Sequence, residues 1–113
     1  MEGCRQRRPI FEKLDIDAVI TTDESSAIAA MKVAIRQGRK VPDDFSVIAF
    51  SNGILARHSS PKLTTVSQHG EQMGATAAEF LINKLEHKDR EETTETIVIK
   101  TDIVARKSTK PLD

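Results

Sequence analysis

Two short polar runs carry the groups in this chain best suited to hold a small molecule. The first is Thr21-Thr22-Asp23-Glu24 and the second is Ser51-Asn52-Gly53. A carboxylate such as Asp23 accepts hydrogen bonds from hydroxyl groups, and the Asn52 amide both donates and accepts. Each run follows a short apolar stretch, Ala18-Val19-Ile20 or Val47-Ile48-Ala49-Phe50. In open parallel sheets ligands bind beyond the carboxyl ends of the strands, so both runs would face one crevice. A second reading stays open: Asp23 caps a helix, and Asn52-Gly53 makes a turn.

Other chemistries lack their residues. Cys4, His58, His69 and His87 are scattered, without the spacing of a zinc site. Ser25-Ser26 and Ser59-Ser60 are not set in a Gly-x-Ser-x-Gly elbow. The five glycines form no Gly-x-Gly-x-x-Gly loop. A phosphoacceptor centred on Asp23 would need a neighbouring acidic pair and a lysine at a strand end, and no convincing set is present. The chain is therefore read as a binding module, neither enzyme nor metalloprotein, with no cofactor.

The elements that position these runs follow from apolar spacing. Ala18-Val19-Ile20 reads as a buried parallel strand. A helix is predicted from about Ser25 to Gln37, because Ala27, Ile28, Met31, Ala34 and Ile35 recur at intervals of three and four. Asp23 or Ser25 would cap its start and Gly38 its end. Pro42-Asp43-Asp44 is a turn, and residues 46–50 form a second buried strand. Strand, helix and strand then make a βαβ unit. After a loop opened by Ser51-Asn52-Gly53, Leu63-Thr64-Thr65-Val66 is an extended segment led in by Pro61. A second helix runs from about Gly70 to His87, with Met73, Ala77, Phe80, Leu81 and Leu85 on one face. A charged loop covers 88–95, and Ile97-Val98-Ile99 and Ile103-Val104-Ala105 read as closing strands. Ile10, Phe11 and Leu14 suggest the last turns of a helix over 9–16.

Composition limits the partners. The 113 residues suffice for one small domain. Seventeen basic and seventeen acidic residues leave no net charge, so the basic excess of a nucleic-acid-binding module is missing. The Arg5, Arg7, Arg8 cluster is read as part of a frayed or disordered terminus over 1–8 rather than a DNA-binding arm. A single cysteine allows no internal disulfide, which fits a reducing cytoplasm. No apolar run approaches the roughly twenty residues of a membrane span, and no apolar core follows the N-terminal charges as in a signal peptide.

Asp17-Ala18-Val19-Ile20-Thr21-Thr22-Asp23-Glu24, then Val41-Pro42-Asp43-Asp44-Phe45-Ser46-Val47-Ile48-Ala49-Phe50, then Ser60-Pro61-Lys62-Leu63-Thr64-Thr65-Val66-Ser67-Gln68 follow one another in this order and spacing. So arranged, they resemble the ligand-sensing domain of bacterial transcription regulators of the lactose/galactose-repressor (LacI/GalR) type. The resemblance runs from about Phe11 to Pro111, so residues 9–113 are read as the C-terminal part of that domain, without its DNA-binding headpiece. It implies an α/β fold: a partial, periplasmic-binding-protein-like lobe with a parallel βαβ core and helices on both sheet faces. It also implies a cytoplasmic, dimeric, sugar-responsive regulator that reaches DNA through a headpiece outside this chain.

By position, the resemblance makes Asp23 and Ser51 effector contacts. Gln68 falls where the chain crosses between the two lobes, and Thr22 and Asn52 complete the ligand-binding set. The family dimerises through this lobe, making Ile28 and Leu55 interface candidates, with Met31 and His58 nearby; Met31 equally fits the core. One departure matters for ligand choice. The family usually carries Gly-Phe/Tyr-Asp-Asp or Gly-Phe/Tyr-Asp-Asn where this chain has Ala49-Phe50-Ser51-Asn52. Loss of that carboxylate points away from a simple hexose, toward another sugar, a sugar acid or another anion. A periplasmic sugar-binding protein shares the two-lobed fold and is the alternative reading. The helix face carrying Met73, Phe80 and Leu81 would normally pack on the other lobe. Burying such side chains is worth about 1.5–3 kcal/mol each, so association of the chain is expected.

Overall fold

A computed structural model describes residues 16–87 and 94–111. The expected frayed terminus over 1–8, the expected helical turns over 9–16 except residue 16, and most of the charged loop after His87 fall outside them. Seven elements follow in the order β1 (Ala18–Thr21), α1 (Glu24–Arg36), β2 (Ser46–Phe50), α2 (Ile54–His58), β3 (Thr64–Ser67), α3 (Gly70–Glu86) and β4 (Asp102–Val104). The four strands form one sheet in sequence order. β1, β2 and β3 run parallel, with Thr21 opposite Ala49 and Ile48 opposite Thr64. β4 returns antiparallel, with Val66 opposite Ile103.

Helix α1 begins where the sequence places it. The Asp23 carboxylate accepts the Ser26 backbone N–H at 2.7 Å, satisfying one of the free amides of the first turn. Beyond Arg36 the chain leaves the helix through Gly38 at φ +82°, a left-handed conformation that glycine adopts without a Cβ clash. Between these ends the helix buries Ala27, Ala30, Met31, Val33 and Ala34. Three of these five are alanines, which let the helix backbone approach the sheet closely. Val47 and Ala49 meet them from β2, joined by Phe45, Ala56 and Leu63 in one core.

The returning C-terminal segment is stitched into this core by Ser108, which is fully buried. Its hydroxyl donates to Val47 O at 2.6 Å and accepts the Thr64 N–H at 2.8 Å. Its carbonyl accepts the Val47 N–H, and its own N–H donates to Lys62 O, each at 3.0 Å. One serine thus closes the gap where β2 and β3 begin to diverge.

The structure departs from the sequence reading in four places. β1 is parallel but not buried: it is an edge strand whose Ile20 is 68% exposed. Residues 97–99 form no strand, and Val98 is exposed. Their β-branched composition suits a half-covered pleated surface, but a strand also needs a partner ladder. The edge of β3 is taken by Asp102–Val104 instead. The loop after Ser51 contains the short helix α2. Lastly, α1 packs on one face of the sheet, and no second helical layer covers the other face among the described residues. Helix α3 buries none of its side chains.

Candidate functional site

An open cleft of about 780 Å³ lies at the carboxyl ends of β2 and β3. The loop after β2 supplies Ser51, Asn52 and Gly53, and the β3–α3 junction supplies Ser67, Gln68 and His69. Arg57 of α2, Glu71 of α3 and Asp102 at the start of β4 complete the polar wall. Two non-glycine residues of the described chain have positive φ, Ser51 at 80° and His69 at 52°, and both line this cleft. Left-handed backbone is unfavourable for a residue with a Cβ. At Ser51 it is held by the backbone N–H, which donates to Val66 O at 3.1 Å and so ties the loop to β3.

Asn52 is fixed from behind. Its side-chain oxygen accepts the Thr65 hydroxyl at 3.1 Å and an Arg106 N–H at 2.5 Å. Arg106 also donates to Leu63 O at 2.7 Å and to the Thr65 hydroxyl at 3.3 Å. The oxygen of Asn52 is thereby occupied, which leaves its NH2 group as the donor to offer a ligand. Sequence reasoning gave Arg106 no role, because it stands 54 positions from Asn52 and no local pattern joins them.

Glu24 has a role that its place in a polar run did not specify. Its carboxylate accepts the N–H groups of Gly53 at 2.5 Å and Ala56 at 3.2 Å, and so caps α2 from the start of α1. A Cβ at Gly53 would fall 2.7 Å from a Glu24 carboxylate oxygen, so any side chain there would push that carboxylate aside. The two polar runs found in the sequence are bonded to each other through this contact. A further link, His69 Nε2 to Asp102 Oδ2 at 2.7 Å, joins the start of α3 to the start of β4 at the cleft edge.

Of the five ligand-binding candidates, the cleft brings together Ser51, Asn52 and Gln68. Asp23 and Thr22 are exposed beside it but do not line it. The Asp23 carboxylate is engaged in the cap, accepting from Ser26 Oγ at 3.1 Å as well as from the Ser26 amide. Among the interface candidates, Leu55 is 45% exposed, His58 is exposed and Ile28 is partly buried against the core. Met31 corrects the interface reading: at 2% exposure it is packed inside the chain and cannot meet a partner. A second cleft, about 660 Å³, sits at the opposite end of the sheet among Asp17, Asp43, Asp44, Arg39 and Lys110. Among the described residues no three His, Cys, Asp or Glu side chains converge to hold a metal ion.

A parallel-sheet lobe with a polar cleft at its strand ends defines a ligand-binding α/β domain, and comparison with known proteins assigns its family. The periplasmic binding protein-like domain family matches residues 2–109, and the chain belongs to it. The HTH-type transcriptional regulator CelR of Thermobifida fusca is 33% identical over 109 residues, which are 94% of this chain and 31% of CelR. The HTH-type transcriptional repressor PurR of Mannheimia succiniciproducens is 37% identical over 95 residues, 84% of this chain and 28% of PurR. A solved CelR–cellobiose complex superposes with a TM-score of 0.81 at 30% identity, covering 94% of this chain and 32% of that one. The chain thus spans about a third of the length of the relatives it matches. These relatives are transcriptional regulators of LacI type, and the chain corresponds to part of their effector-binding domain.

Proposed function

We propose that this chain is the C-terminal part of the effector-sensing domain of a LacI/GalR-type transcriptional regulator, acting in the cytoplasm. The observation that carries this reading is the cleft at the carboxyl ends of β2 and β3, where Ser51, Asn52 and Gln68 meet. The effector is a sugar or sugar derivative, in keeping with the cellobiose held by the CelR structure. The wall carries donors in the Ser51 hydroxyl, the Asn52 NH2 and the Arg57 guanidinium, beside the carboxylates of Glu71 and Asp102. With a hydroxyl and not a carboxylate at Ser51, the Arg57 side of the cleft suits a sugar acid better than a neutral hexose. Asp23 and Thr22, beside the cleft, bind the effector from the other polar run.

In the longer protein the rest of the domain would supply the opposite cleft wall, and a headpiece outside this chain would read DNA. Ligand binding changes lobe closure, which can bias DNA binding only as far as the ligand prefers one closure state. Ile28, Leu55 and His58 form the homodimer contact. The helix-turn-helix regulators among the relatives favour this over a role in sugar uptake. Among the described residues no helix is long and apolar enough to cross a membrane.

The test is operator binding by the full-length regulator during titration with cellobiose and with glucuronate. Asn52→Ala and Asp23→Ala should each raise the effector concentration needed for half response about tenfold, the loss of one good polar contact. Ligand-free operator affinity should stay unchanged. Unaltered effector response in both variants would overturn the assignment.

A further inference from the structure

The Asn52 amide has two ends of similar size and opposite chemistry: the oxygen accepts hydrogen bonds and the NH2 donates them. Which end a ligand meets is decided behind the cleft. There an Arg106 guanidinium N–H lies 2.5 Å from the inward end of the amide, and the fully buried Thr65 hydroxyl lies 3.1 Å from it. The hydroxyl can serve either end, because it both donates and accepts. A guanidinium only donates, so the inward end is the oxygen. Among the described residues the NH2 meets no acceptor, and none of their buried side-chain polar atoms lacks a partner. The NH2 is therefore the accessible end, on a residue that lines the cleft.

Arg106 is itself held firmly. Its backbone N–H donates to the Thr64 hydroxyl at 2.9 Å, and its carbonyl accepts from the same hydroxyl at 3.3 Å. Its guanidinium is tied to Leu63 O and to the Thr65 hydroxyl as well. Arg106 does not line the cleft, so it acts on a ligand only through another side chain. On the cleft side Arg57 stands next to Asn52, its guanidinium donating to the Asn52 backbone carbonyl at 3.4 Å. Glu71 and Asp102 bring carboxylates into the cleft from α3 and β4, so the donor character belongs to the Asn52 and Arg57 side alone.

We propose that Arg106 is a positioning residue that locks the Asn52 amide with its donor outward, and so selects effectors that bring an acceptor, such as a carboxylate, to this point of the cleft. The proposal rests on the reading of the cleft as the effector site. Without Arg106 the Thr65 hydroxyl would satisfy the amide in either orientation, and a ligand donor would be accepted in front of Asn52 as readily as an acceptor.

The test is the ratio of two affinities of the full-length regulator, for glucuronate and for glucosamine, whose ammonium only donates. Arg106→Leu, with its fold checked by circular dichroism, should lower the glucuronate-to-glucosamine ratio roughly tenfold, the exchange of one polar contact. In an Asn52→Ala background the same substitution should leave the ratio unchanged, because the two residues act through one contact. An Arg106 that only supports the fold would weaken both sugars alike, whatever stands at position 52. A second measurement needs no effector. In the 113-residue chain, the carboxyl introduced by Asn52→Asp should ionise well below the usual carboxylate range, because the guanidinium stands against it. Adding Arg106→Leu should bring it back toward that range. An unchanged ratio in Arg106→Leu, an equal fall in the Asn52→Ala background, or a carboxyl that ignores Arg106 would each overturn the proposal. Failure of the wild type to bind either sugar would instead sink the effector assignment, and the carboxyl titration would still decide whether Arg106 grips residue 52.

Discussion

Arg106 and Asn52 show how one long-range contact shapes the cleft. The planar guanidinium reaches a backbone carbonyl, a hydroxyl and an amide oxygen together, which a lysine ammonium does not reproduce. Replacing it by leucine would take the guanidinium donor from the Leu63 carbonyl and leave the Asn52 oxygen with the Thr65 hydroxyl alone. Arg106→Leu should therefore lower stability by about 1–3 kcal/mol in urea unfolding, and Arg106→Lys should recover less than half of that. A loss within about 0.5 kcal/mol, the range of ordinary surface substitutions, would show that Arg106 holds nothing in place. At this scale, local contacts were legible and distant ones were not. The cap by Asp23 and the left-handed turn at Gly38 depend on residues within a few positions. The Asn52–Arg106 and Ser108–Val47 bonds span 54 and 61 positions, and a one-dimensional pattern carries no trace of them.

At the scale of elements, α1 and α2 are coupled through one carboxylate. Glu24 opens α1 and accepts the free amides at the start of α2, so the polar run after β1 fixes the helix that follows the polar run after β2. Gly53→Ala would force that carboxylate aside and break both bonds. Amide exchange at Ala56 should then quicken by about an order of magnitude, matching the loss of a charge-assisted hydrogen bond worth about 1.5 kcal/mol. Unchanged protection at Ala56 would mean that α2 does not need Glu24. Most elements could be read from the periodicity of 3.6 or from short apolar runs. The exposure of β1 could not, because Ala-Val-Ile looks alike in an edge strand and a central one. Residues 97–99 misled for a related reason: their composition suits a strand, and the ladder that would make them one belongs to residues 102–104.

Among the described residues the molecule is a sheet with one face served by its own helix and the other left open, joined to a helix that buries no side chain. The expectation that Met73, Phe80 and Leu81 would lack cover came from asking which lobe they normally meet. In the structure Met73 and Leu81 are exposed, and Phe80 is partly covered with the Lys84 ammonium 5.0 Å from its ring centre. The cleft, by contrast, belongs to the well-packed part of the chain. Its loops leave strands that share the α1 core, so it is preformed on one side before any second wall is added.

The central claim is that this preformed wall receives the effector. The most direct measurement is a titration of the ¹⁵N-labelled chain with glucuronate and with cellobiose, followed through the backbone amides. The method registers affinities as weak as millimolar, about −4 kcal/mol, so half of a cleft still reports. Saturable shifts at Ser51, Asn52, Gly53 and Gln68, stronger with glucuronate, are the predicted result. Shifts gathered instead around Asp17, Asp43 and Asp44 at the opposite end of the sheet, or no saturable shift with either sugar, would contradict it.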